Sequence, residues 1–367
     1  DRQAKAVVCR DWGQPVQVET ITVEGPKRDE ITIKIAACGV CHSDLSATTG
    51  KIPYPPPLVL GHEAAGVVVE VGEGVTAFKE GDHVVSTFIS MCGKCSQCVR
   101  GRPVLCENAR KAMFNLPDGT VRTKGADGEP LNVFGACGVM AEFATMHVDN
   151  CVKVDETVPM QNAALVGCAV MTGVGAVFNT AKLEPGSRAA VFGIGGVGLN
   201  AIQGCVTAGA EMIVAVDSNP AKLAMAKEFG ATHTVHINAV EDAAKAVKKM
   251  TGGVDYAFEC VGAGPVVEQA YKSLGRGGTA VVVGVADPKD KTSLTTLTLP
   301  ADERTLKGSW LGSARPQHDF PRILGLYKAG KLKLDELVTR TYPIEEAAQA
   351  FDDMVAGKNA RGVIVFE

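Results

Sequence analysis

Four of the twelve cysteines are crowded into one short polar loop. Cys92, Cys95 and Cys98 form two overlapping CxxC units, and Cys106 follows after a short turn. Four thiolates at this spacing can close a tetrahedral all-sulfur site, which is the form that structural zinc takes. An iron–sulfur cluster uses the same ligands, but the lack of a second cysteine group and the redox-silent neighbouring motifs disfavour it. Free core cysteines would be poor packing material in so polar a loop, so the spacing predicts structural zinc.

A second candidate metal site begins with His62 and Glu63, which stand between glycines and just before the apolar run Val67–Val71. A lone histidine before an apolar strand is more often a satisfied core residue than a ligand, so this interpretation needs partners. Cys38 and Cys41 lie upstream, where a predicted strand gives way to a predicted helical turn. The sequence leaves open which of these two thiols is the ligand and which one packs.

A further thiol occurs in the stretch Ala163–Gly173, whose apolar and small residues predict a buried helix. Cys168 lies in this stretch beside a glycine, where a thiolate could reach a neighbouring metal. A small buried side chain would suit the same position equally well. From this segment alone, both interpretations of Cys168 stay open.

A glycine-rich turn follows the predicted strand Arg188–Phe192 and reads Gly193-Ile194-Gly195-Gly196-Val197-Gly198. A predicted helix comes next, and the following strand ends in Asp217, about twenty residues on. Such glycines let the backbone approach a pyrophosphate, the helix N-terminus offers N–H groups to it, and the acid binds the adenosine ribose. Because an acid repels a 2′-phosphate, the pattern predicts NAD rather than NADP, with Lys222 beside the adenosine.

The alternation of strand and helix continues after this turn. Strands are expected over Val254–Glu259 and Thr279–Val285, with a helix between them that reaches Leu274. This series predicts an α/β fold with a doubly wound parallel sheet. Residues 4–60 read instead as short alternating strands, which predicts a β-rich, partly barrel-like domain. The closing strand Arg361–Phe366 resembles that region, so we expect the chain to return to the first domain.

The size and composition of the chain limit its class. At 367 residues it exceeds the usual size of a single core, so two domains are expected. Charged residues make up 21% and the net charge is -4, which disfavours nucleic acid or an anionic membrane as a partner. No apolar run is expected to reach the length of a membrane-spanning helix, and no signal sequence is expected, so we expect a cytoplasmic location. The polar, turn-rich segment Lys111–Pro130 is expected to run over the surface.

With these motifs in this order, the chain resembles the zinc-dependent medium-chain alcohol dehydrogenases over essentially its whole length. The branch is that of the horse-liver-type enzymes and the glutathione-dependent formaldehyde dehydrogenases. The family's zinc signature is matched by Gly61-His62-Glu63, Gly66, Gly72 and Val75. The resemblance implies a GroES-like catalytic domain at residues 1–169 and 311–367, with the structural-zinc lobe at 92–106, and an NAD-binding Rossmann domain at 170–310.

By this resemblance the chain would bind two zinc ions. A catalytic ion would be held by Cys41, His62 and Cys168, and a structural ion by Cys92, Cys95, Cys98 and Cys106. Asp44 would steady His62, because metal-bound imidazoles are oriented by such partners. Glu63 would lie close behind the metal, either as a resting carboxylate or as a transient ligand that eases exchange at the metal, and Cys38 would only pack.

Two thiolates and one imidazole leave zinc one open position, where an alcohol loses its proton more readily. Ser43 would be the first acceptor of that proton, and hydride would pass from the alcohol carbon to the nicotinamide. The resemblance implies pyrophosphate contacts for His42 and Arg361, and nicotinamide contacts for Thr172, Val197 and Val285. An apolar substrate pocket would be lined by Ile52, Phe88, Trp310 and Leu311.

Two departures from the family pattern bear on the proton path and the substrate. Ser46 stands where horse-liver-type members have a histidine that passes the proton to solvent, so the relay must end in water or another group. Arg110 matches a basic position of the formaldehyde dehydrogenases. The acidic residues that those enzymes use for the glutathione amine are replaced by Lys51-Ile52-Pro53-Tyr54. An ordinary primary alcohol is therefore favoured.

The leading hypothesis is a zinc- and NAD-dependent, reversible oxidation of a primary aromatic, allylic or medium-chain alcohol to its aldehyde. The second hypothesis is thiol-dependent formaldehyde oxidation, in which an S-hydroxymethyl thiol adduct is the substrate. A non-catalytic protein that keeps the NAD and zinc sites is a third hypothesis, from another class. Since relatives with the long surface excursion are often dimers, a homodimer is expected by analogy.

Overall fold

The computed structural model describes residues 1–367, and its contacts divide the chain into two compact units. The first unit contains Asp1–Cys168, Arg315–Ala329 and Leu334–Glu367, and the second contains Ala169–Ala314 and Gly330–Lys333. The sequence predicts boundaries at 169/170 and 310/311, whereas the contacts place them at 168/169 and 314/315. The segment 330–333 is an addition to the second unit that the sequence does not predict.

Two β-sheets form the framework of the first unit. The smaller sheet has five strands, in the order Thr123–Lys124, Gln17–Val23, Arg2–Cys9, Leu58–Val59 and Asn132–Val133. Six strands of the larger, seven-stranded sheet follow the order Cys151–Lys153, His83–Ser86, Ala64–Val71, Glu30–Gly39, Arg361–Val365 and Val338–Tyr342. The seventh, Phe143–His147, also pairs with Glu30–Gly39. The α-helices outside the core helix described below are His42–Thr48, Ser96–Val99, Pro316–Lys328 and Ala347–Val355.

The strand Glu30–Gly39 is the centre of this unit. Its isoleucines at 31, 33 and 35 alternate along the strand and are all buried in the main core. Near its end, Cys38 lies opposite Ala64 on one side and Ile364 on the other. The C-terminal strand therefore pairs with the N-terminal part of the chain. The loops beyond Gly39 and before Ala64 are brought side by side.

The second unit carries one fully parallel sheet of six strands. The strands follow the order His233–His236, Met212–Asp217, Arg188–Phe192, Val254–Glu259, Leu274–Val282 and Thr305–Gly308. Helices connect them at Gly196–Ala208, Pro220–Glu228, Ala243–Thr251, Gly264–Lys272 and Thr298–Ala301. In chain order this is 3-2-1-4-5-6, the order of dinucleotide-binding sheets. The predicted doubly wound α/β fold is confirmed.

The predicted bounds are wrong at one point of this sheet. The sequence predicts a helix that reaches Leu274 and a strand over Thr279–Val285, but the helix ends at Lys272 and the strand spans Leu274–Val282. Glycine has low strand propensity, and three glycines between residues 274 and 279 hide the first half of the strand from pattern reading.

One helical segment is long and apolar enough to cross a membrane, which corrects the expectation that no such run exists. It spans Met160–Ala181, has a mean hydropathy of 1.6 in its most apolar window, and has 83% of that window buried inside the protein. Its α-helical turns alternate with π-helical ones, in the order Met160–Leu165, Val166–Val170, Met171–Gly175 and Ala176–Ala181. Burial to this degree is typical of the core helix of a globular protein.

The polar segment Lys111–Pro130 is not only a surface excursion, which corrects a second expectation. Arg122 and Thr123 are buried. The Nε of Arg122 donates to Glu30 Oε2 at 2.8 Å, and its Nη2 donates to Asp118 Oδ2 at 2.7 Å. This buried ion pair holds the segment Lys111–Pro130 against Glu30, the first residue of the central strand.

We expect Arg122→Met to destabilise the first unit by about 3–5 kcal/mol, because it leaves the buried Glu30 carboxylate without its cation. The measurement is the urea midpoint of unfolding, followed by circular dichroism. Arg28→Met is the matched control, since Arg28 and its partner Glu73 are 67% and 79% exposed and such a pair contributes about 1 kcal/mol or less. Equal midpoints for the two variants would contradict a stabilising role for Arg122.

Candidate functional site

The four cysteines of the polar loop converge on one point. Their sulfur atoms all lie within 4.8 Å of one another, with 3.6 Å from Cys106 to Cys92 and 3.9 Å from Cys95 to Cys106. A tetrahedral site with zinc–sulfur bonds of about 2.3 Å has sulfur–sulfur edges of about 3.8 Å. All twelve cysteines of the chain are free, so no disulfide competes for these thiols. The donor set and its dimensions fit zinc.

Backbone N–H groups lower the pKa of Cys92 and Cys95 in this loop, whereas burial raises the pKa of Cys98 to about 12. The N–H of Cys95 donates to Cys92 Sγ at 3.3 Å, and the N–H of Cys92 donates to Cys106 Sγ at 3.5 Å. The N–H groups of Cys98 and Glu107 lower the pKa of Cys95 to about 6. Because the thiolate is the form that binds metal, the turn conformation prepares this ligand for an ion.

The second cluster joins three distant parts of the first unit. Cys41 directly precedes the helix His42–Thr48, His62 lies two residues before the strand Ala64–Val71, and Cys168 lies in the core helix. One ligand atom from each of the three residues lies within 4.8 Å of the others, and all three residues are buried. The structure thus brings together the three residues for which the family resemblance implies a catalytic zinc.

Close packing of the core helix brings Cys168 to this place. A Cβ atom on Gly167 would lie 2.7 Å from Ser86 O and 3.3 Å from Glu63 Cα, so any larger residue would push the helix away. Cys38, the alternative thiol upstream, is fully buried in the main core, with its Sγ 3.6 Å from Gly39 O. The structure therefore places Cys41, and not Cys38, in the cluster.

Hydrogen bonds fix both the ring and the backbone of His62. Asp44 Oδ1 lies 3.3 Å from His62 Nδ1 and accepts the N–H of Gly61 at 2.9 Å. Since the carboxylate accepts the Nδ1 proton, the other ring nitrogen is left for the cluster. Ser86 Oγ donates to His62 O at 3.3 Å and accepts the N–H of Ala64 at 2.9 Å.

The side chains of the cluster perturb one another. Hydrogen bonds with Cys168 and His62 lower the pKa of Cys41 well below its usual range, against the effect of burial. Burial lowers the pKa of His62, but Asp44 and Cys41 outweigh this effect and raise it to about 10. A divalent cation would bind the thiolate and displace the imidazole proton. Two thiols and one imidazole fit a zinc ion with one open position.

Glu63, the neighbour of His62, is fully buried and forms an ion pair with Arg361. The carboxylate also lies against Gly39, where a Cβ atom would come within 2.5 Å of its Oε1. The Arg361 side chain is only 7% exposed and neutralises the buried carboxylate of Glu63. The sequence does not predict this ion pair. The pyrophosphate contact implied for Arg361 stays a prediction.

Three residues of the helix His42–Thr48 bear on proton transfer and cofactor binding. Ser43 is half-buried, and its Oγ lies 3.7 Å from Cys41 Sγ at the edge of the cluster. His42 is exposed, and Ser46 is half-buried one turn further along. These positions suit the predicted roles of Ser43 and His42, which stay predictions.

Apolar side chains border the histidine of the cluster. The ring of Phe134 lies 4.7 Å from that of His62, and Phe88 meets the same ring edge-on at 5.4 Å. Phe88 and the partly buried Ile52, both predicted pocket residues, pack against the same core. The sequence misses Phe134 and Ser86, because neither belongs to a local motif.

The other two predicted pocket residues belong to the second unit. Trp310 is 46% exposed, whereas Leu311 is buried at the start of a 3-10 turn, Leu311–Ser313. Thr172, Val197 and Val285, the predicted nicotinamide contacts, are in the second unit as well.

The glycine-rich turn has the shape that a dinucleotide requires. Gly193 has a φ of +90°, and a Cβ atom on Gly198 would lie 1.9 Å from Gly193 O. A Cβ atom on Gly195 would meet nothing within 4 Å, and the helix Gly196–Ala208 begins directly after it. The turn is therefore tight and closely packed, and it leaves open space beside the N–H groups of the helix N-terminus.

Asp217 stands at the carboxyl end of the neighbouring strand, beside this turn. Its Oδ2 accepts the N–H of Ile194 at 2.7 Å, and its Oδ1 accepts the N–H of Asn219 at 2.8 Å. In sheets of this strand order, an acid at this point binds the ribose of the cofactor. Lys222 is half-buried on the following helix, Pro220–Glu228.

Two family descriptions match the chain. An Alcohol dehydrogenase GroES-like domain matches residues 27–156, and a Zinc-binding dehydrogenase domain matches residues 196–329. Among curated relatives, the NDMA-dependent alcohol dehydrogenase of Amycolatopsis methanolica is 40% identical over 369 residues, with 99% of each chain covered. The S-(hydroxymethyl)glutathione dehydrogenase of Paracoccus denitrificans is 37% identical over 375 residues, with 99% of this chain and 100% of the relative covered.

Solved structures agree with these matches. The alcohol dehydrogenase zinc-binding domain protein of Burkholderia ambifaria has a TM-score of 0.95 and 35% identity, and covers 100% of this chain and 99% of its own. Benzyl alcohol dehydrogenase of Acinetobacter calcoaceticus has a TM-score of 0.92 and 32% identity, with 100% of both chains covered. The predicted family is confirmed, and zinc and a nicotinamide cofactor are supported for this chain. The protein belongs to the zinc-dependent medium-chain alcohol dehydrogenase family and is an oxidoreductase.

Proposed function

We propose that the protein reversibly oxidises a primary alcohol to its aldehyde, with NAD as the hydride acceptor and with two zinc ions per chain. The observation that carries this proposal is the buried cluster of Cys41, His62 and Cys168, whose ligand atoms lie within 4.8 Å of one another. Zinc bound there would supply a Lewis acid that lowers the pKa of the alcohol hydroxyl. The four-thiol loop would hold the second ion in a closed structural site.

The side chains around the cluster orient its ligands and move the proton. Asp44 holds His62 in the orientation that leaves one ring nitrogen free to bind, and Ser86 fixes the backbone of the same residue. Ser43 Oγ accepts the proton of the substrate hydroxyl and passes it towards water, since Ser46 replaces the histidine of horse-liver-type members. The rings of Phe88 and Phe134 exclude water beside His62 and so strengthen electrostatic interactions at the cluster.

The choice of NAD over NADP rests on Asp217. Both of its carboxylate oxygens already accept backbone N–H groups, which holds the charge in place beside the glycine-rich turn. A fixed carboxylate binds ribose hydroxyls and repels a 2′-phosphate.

For the substrate, we favour an aromatic, allylic or medium-chain primary alcohol. The phenylalanine rings beside His62 and the half-buried Ile52 give this side of the cluster an apolar surface. One similar structure is a benzyl alcohol dehydrogenase. A thiol adduct of formaldehyde is the second candidate, because one relative is an S-(hydroxymethyl)glutathione dehydrogenase. The segment Lys51–Tyr54 replaces the acidic residues that such enzymes use for the glutathione amine, which disfavours the thiol adduct as substrate.

A homodimer in the cytoplasm completes the proposal. The edge strand Thr305–Gly308 has no neighbour on its outer side, and Leu297 and Leu299 nearby in sequence are 71% and 38% exposed. A second copy would cover both features. Free thiols throughout the chain suit a reducing compartment. Sedimentation equilibrium should give twice the chain mass of 38.3 kDa, and a monomer at micromolar concentration would refute the dimer.

A substrate panel tests the reaction. We expect benzyl, allylic and medium-chain alcohols to reduce NAD without added thiol, and S-hydroxymethylglutathione to be a poor substrate. Initial rates of NADH formation give kcat/KM for each alcohol. NDMA belongs in the panel as a further acceptor, because one relative is named for its dependence on it. Turnover only with the thiol adduct would reverse the choice between the two candidates.

Replacement of Cys41 by Ser tests the metal site. We expect zinc to fall from two ions per chain to one and turnover to fall by at least about a thousandfold, because the catalytic ion loses a thiolate ligand. NADH should still bind, as measured by its fluorescence. Cys38→Ser is the matched control, because this thiol is three residues away and outside the cluster, and it should keep both ions. An active, zinc-depleted Cys41 variant would refute the mechanism.

Replacement of Asp217 tests the cofactor preference. Asp217→Gly should lower the ratio of kcat/KM for NAD to that for NADP by about 10- to 100-fold, the value of one or two charge-assisted hydrogen bonds. Asp217→Asn separates charge from shape, because its amide oxygen can still accept the N–H of Ile194. It should relax the preference in the same direction. An unchanged ratio in both variants would contradict the ribose role.

A further inference from the structure

A buried carboxylate stands at the point where the parallel sheet reverses its order. Glu259 is the last residue of the strand Val254–Glu259, and it lies opposite Phe192, which directly precedes the glycine-rich turn. In open α/β sheets, ligands bind outside the carboxyl ends of the strands at this reversal. The side chain of Glu259 is fully buried.

The groups that face this carboxylate are backbone N–H groups and not a cation. Glu259 Oε1 accepts the N–H of Val261 at 2.8 Å and that of Gly262 at 2.7 Å. Its Oε2 has no hydrogen-bond partner. Burial raises the pKa of Glu259, although the N–H groups of Gly262 and Val261 oppose this effect. A carboxyl group buried with one oxygen unpartnered is costly, and both hydrogen bonds of the other oxygen go to the loop that follows the strand.

The loop that these bonds hold borders the dinucleotide site. A Cβ atom on Gly193 would lie 2.5 Å from Val261 Cγ2, so the loop packs against the first glycine of the turn. On its other side, a Cβ atom on Gly262 would lie 2.5 Å from Val285 O. Val261 and Val285 are 53% and 46% exposed, so two apolar side chains face outward beside the turn.

We propose that Glu259 is a positioning residue for the dinucleotide: its buried carboxyl group holds the loop Cys260–Ala263 so that Val261 and Val285 form a preformed apolar surface for the cofactor. Glu259 itself touches neither the alcohol nor the metal ligands. Its contribution is to cofactor affinity, and it acts before hydride transfer. The inference rests on the use of a dinucleotide in the proposed function.

Replacement of Glu259 by Gln tests this inference. The variant keeps the size of the side chain and one oxygen that can accept the N–H groups of Val261 and Gly262, but it removes the carboxylate charge. We expect the Kd for NADH to rise about tenfold, the value of a charge-assisted hydrogen bond. We expect kcat at saturating NAD and the KM for the alcohol to stay within about twofold of wild type. Glu241→Gln, at an exposed position of the same unit, is the matched control and should leave the Kd unchanged.

This split of parameters separates positioning from a general structural role. An equal Kd for wild type and Glu259→Gln would overturn the inference, and so would a fall in kcat with the Kd unchanged. Wild-type protein that binds neither NADH nor NADPH would instead refute the proposed function.

Hydrogen exchange of the wild-type protein decides the matter if the variant does not fold. The amides of Val261 and Gly262 should be protected to a similar degree with and without NADH, because the carboxyl group holds the loop before the cofactor binds. Rapid exchange of both amides in the cofactor-free protein would overturn the inference.

Discussion

The convergence of two thiols and one imidazole in the core of the first unit is the constraint on which the candidate site depends. No short segment supplies these ligands, because Cys41, His62 and Cys168 come from three distant parts of the chain. The register that sets Cys38 opposite Ala64 brings the first two together, and the absence of a side chain at Gly167 lets the core helix bring the third. A metal ion would bind the thiolate and the neutral imidazole, and would thereby displace the proton that the cluster otherwise holds.

The second unit has the features that bind a large anionic cofactor through uncharged backbone N–H groups. The turn at Gly193 is tight, the helix N-terminus points its N–H groups into open space, and two carboxyl groups fix the surrounding loops from inside. Asp217 holds the turn by the N–H of Ile194, and Glu259 holds the loop at Val261 and Gly262. The two acids end the parallel strands that flank Arg188–Phe192 on either side. The sheet therefore sets the positions of the two carboxyl groups and, through them, those of the loops.

The sequence predicts the parts of this protein that lie in local motifs. The four thiols at residues 92–106 and the glycine-rich turn are readable because spacing alone specifies their chemistry. The choice between Cys38 and Cys41 is not readable from spacing, because it depends on strand register. Ser86 and Phe134 escape sequence reading for the same reason, because the residues that they contact come from elsewhere in the fold. Glu259 escapes it because its burial depends on the sheet, although its hydrogen bonds are local. Glycines hide the strand that begins at Leu274 from pattern reading. Polar neighbours likewise give no sign in the sequence that Arg122 is buried.

Diffraction on both sides of the zinc absorption edge, from crystals of enzyme with measured activity, tests the central claim most directly. The account predicts two anomalous peaks per chain, one enclosed by the four sulfur atoms of residues 92–106 and one bound by Cys41, His62 and Cys168 with a position open to substrate. An active enzyme whose second peak is missing, or whose peak is not bound by these three residues, would contradict it.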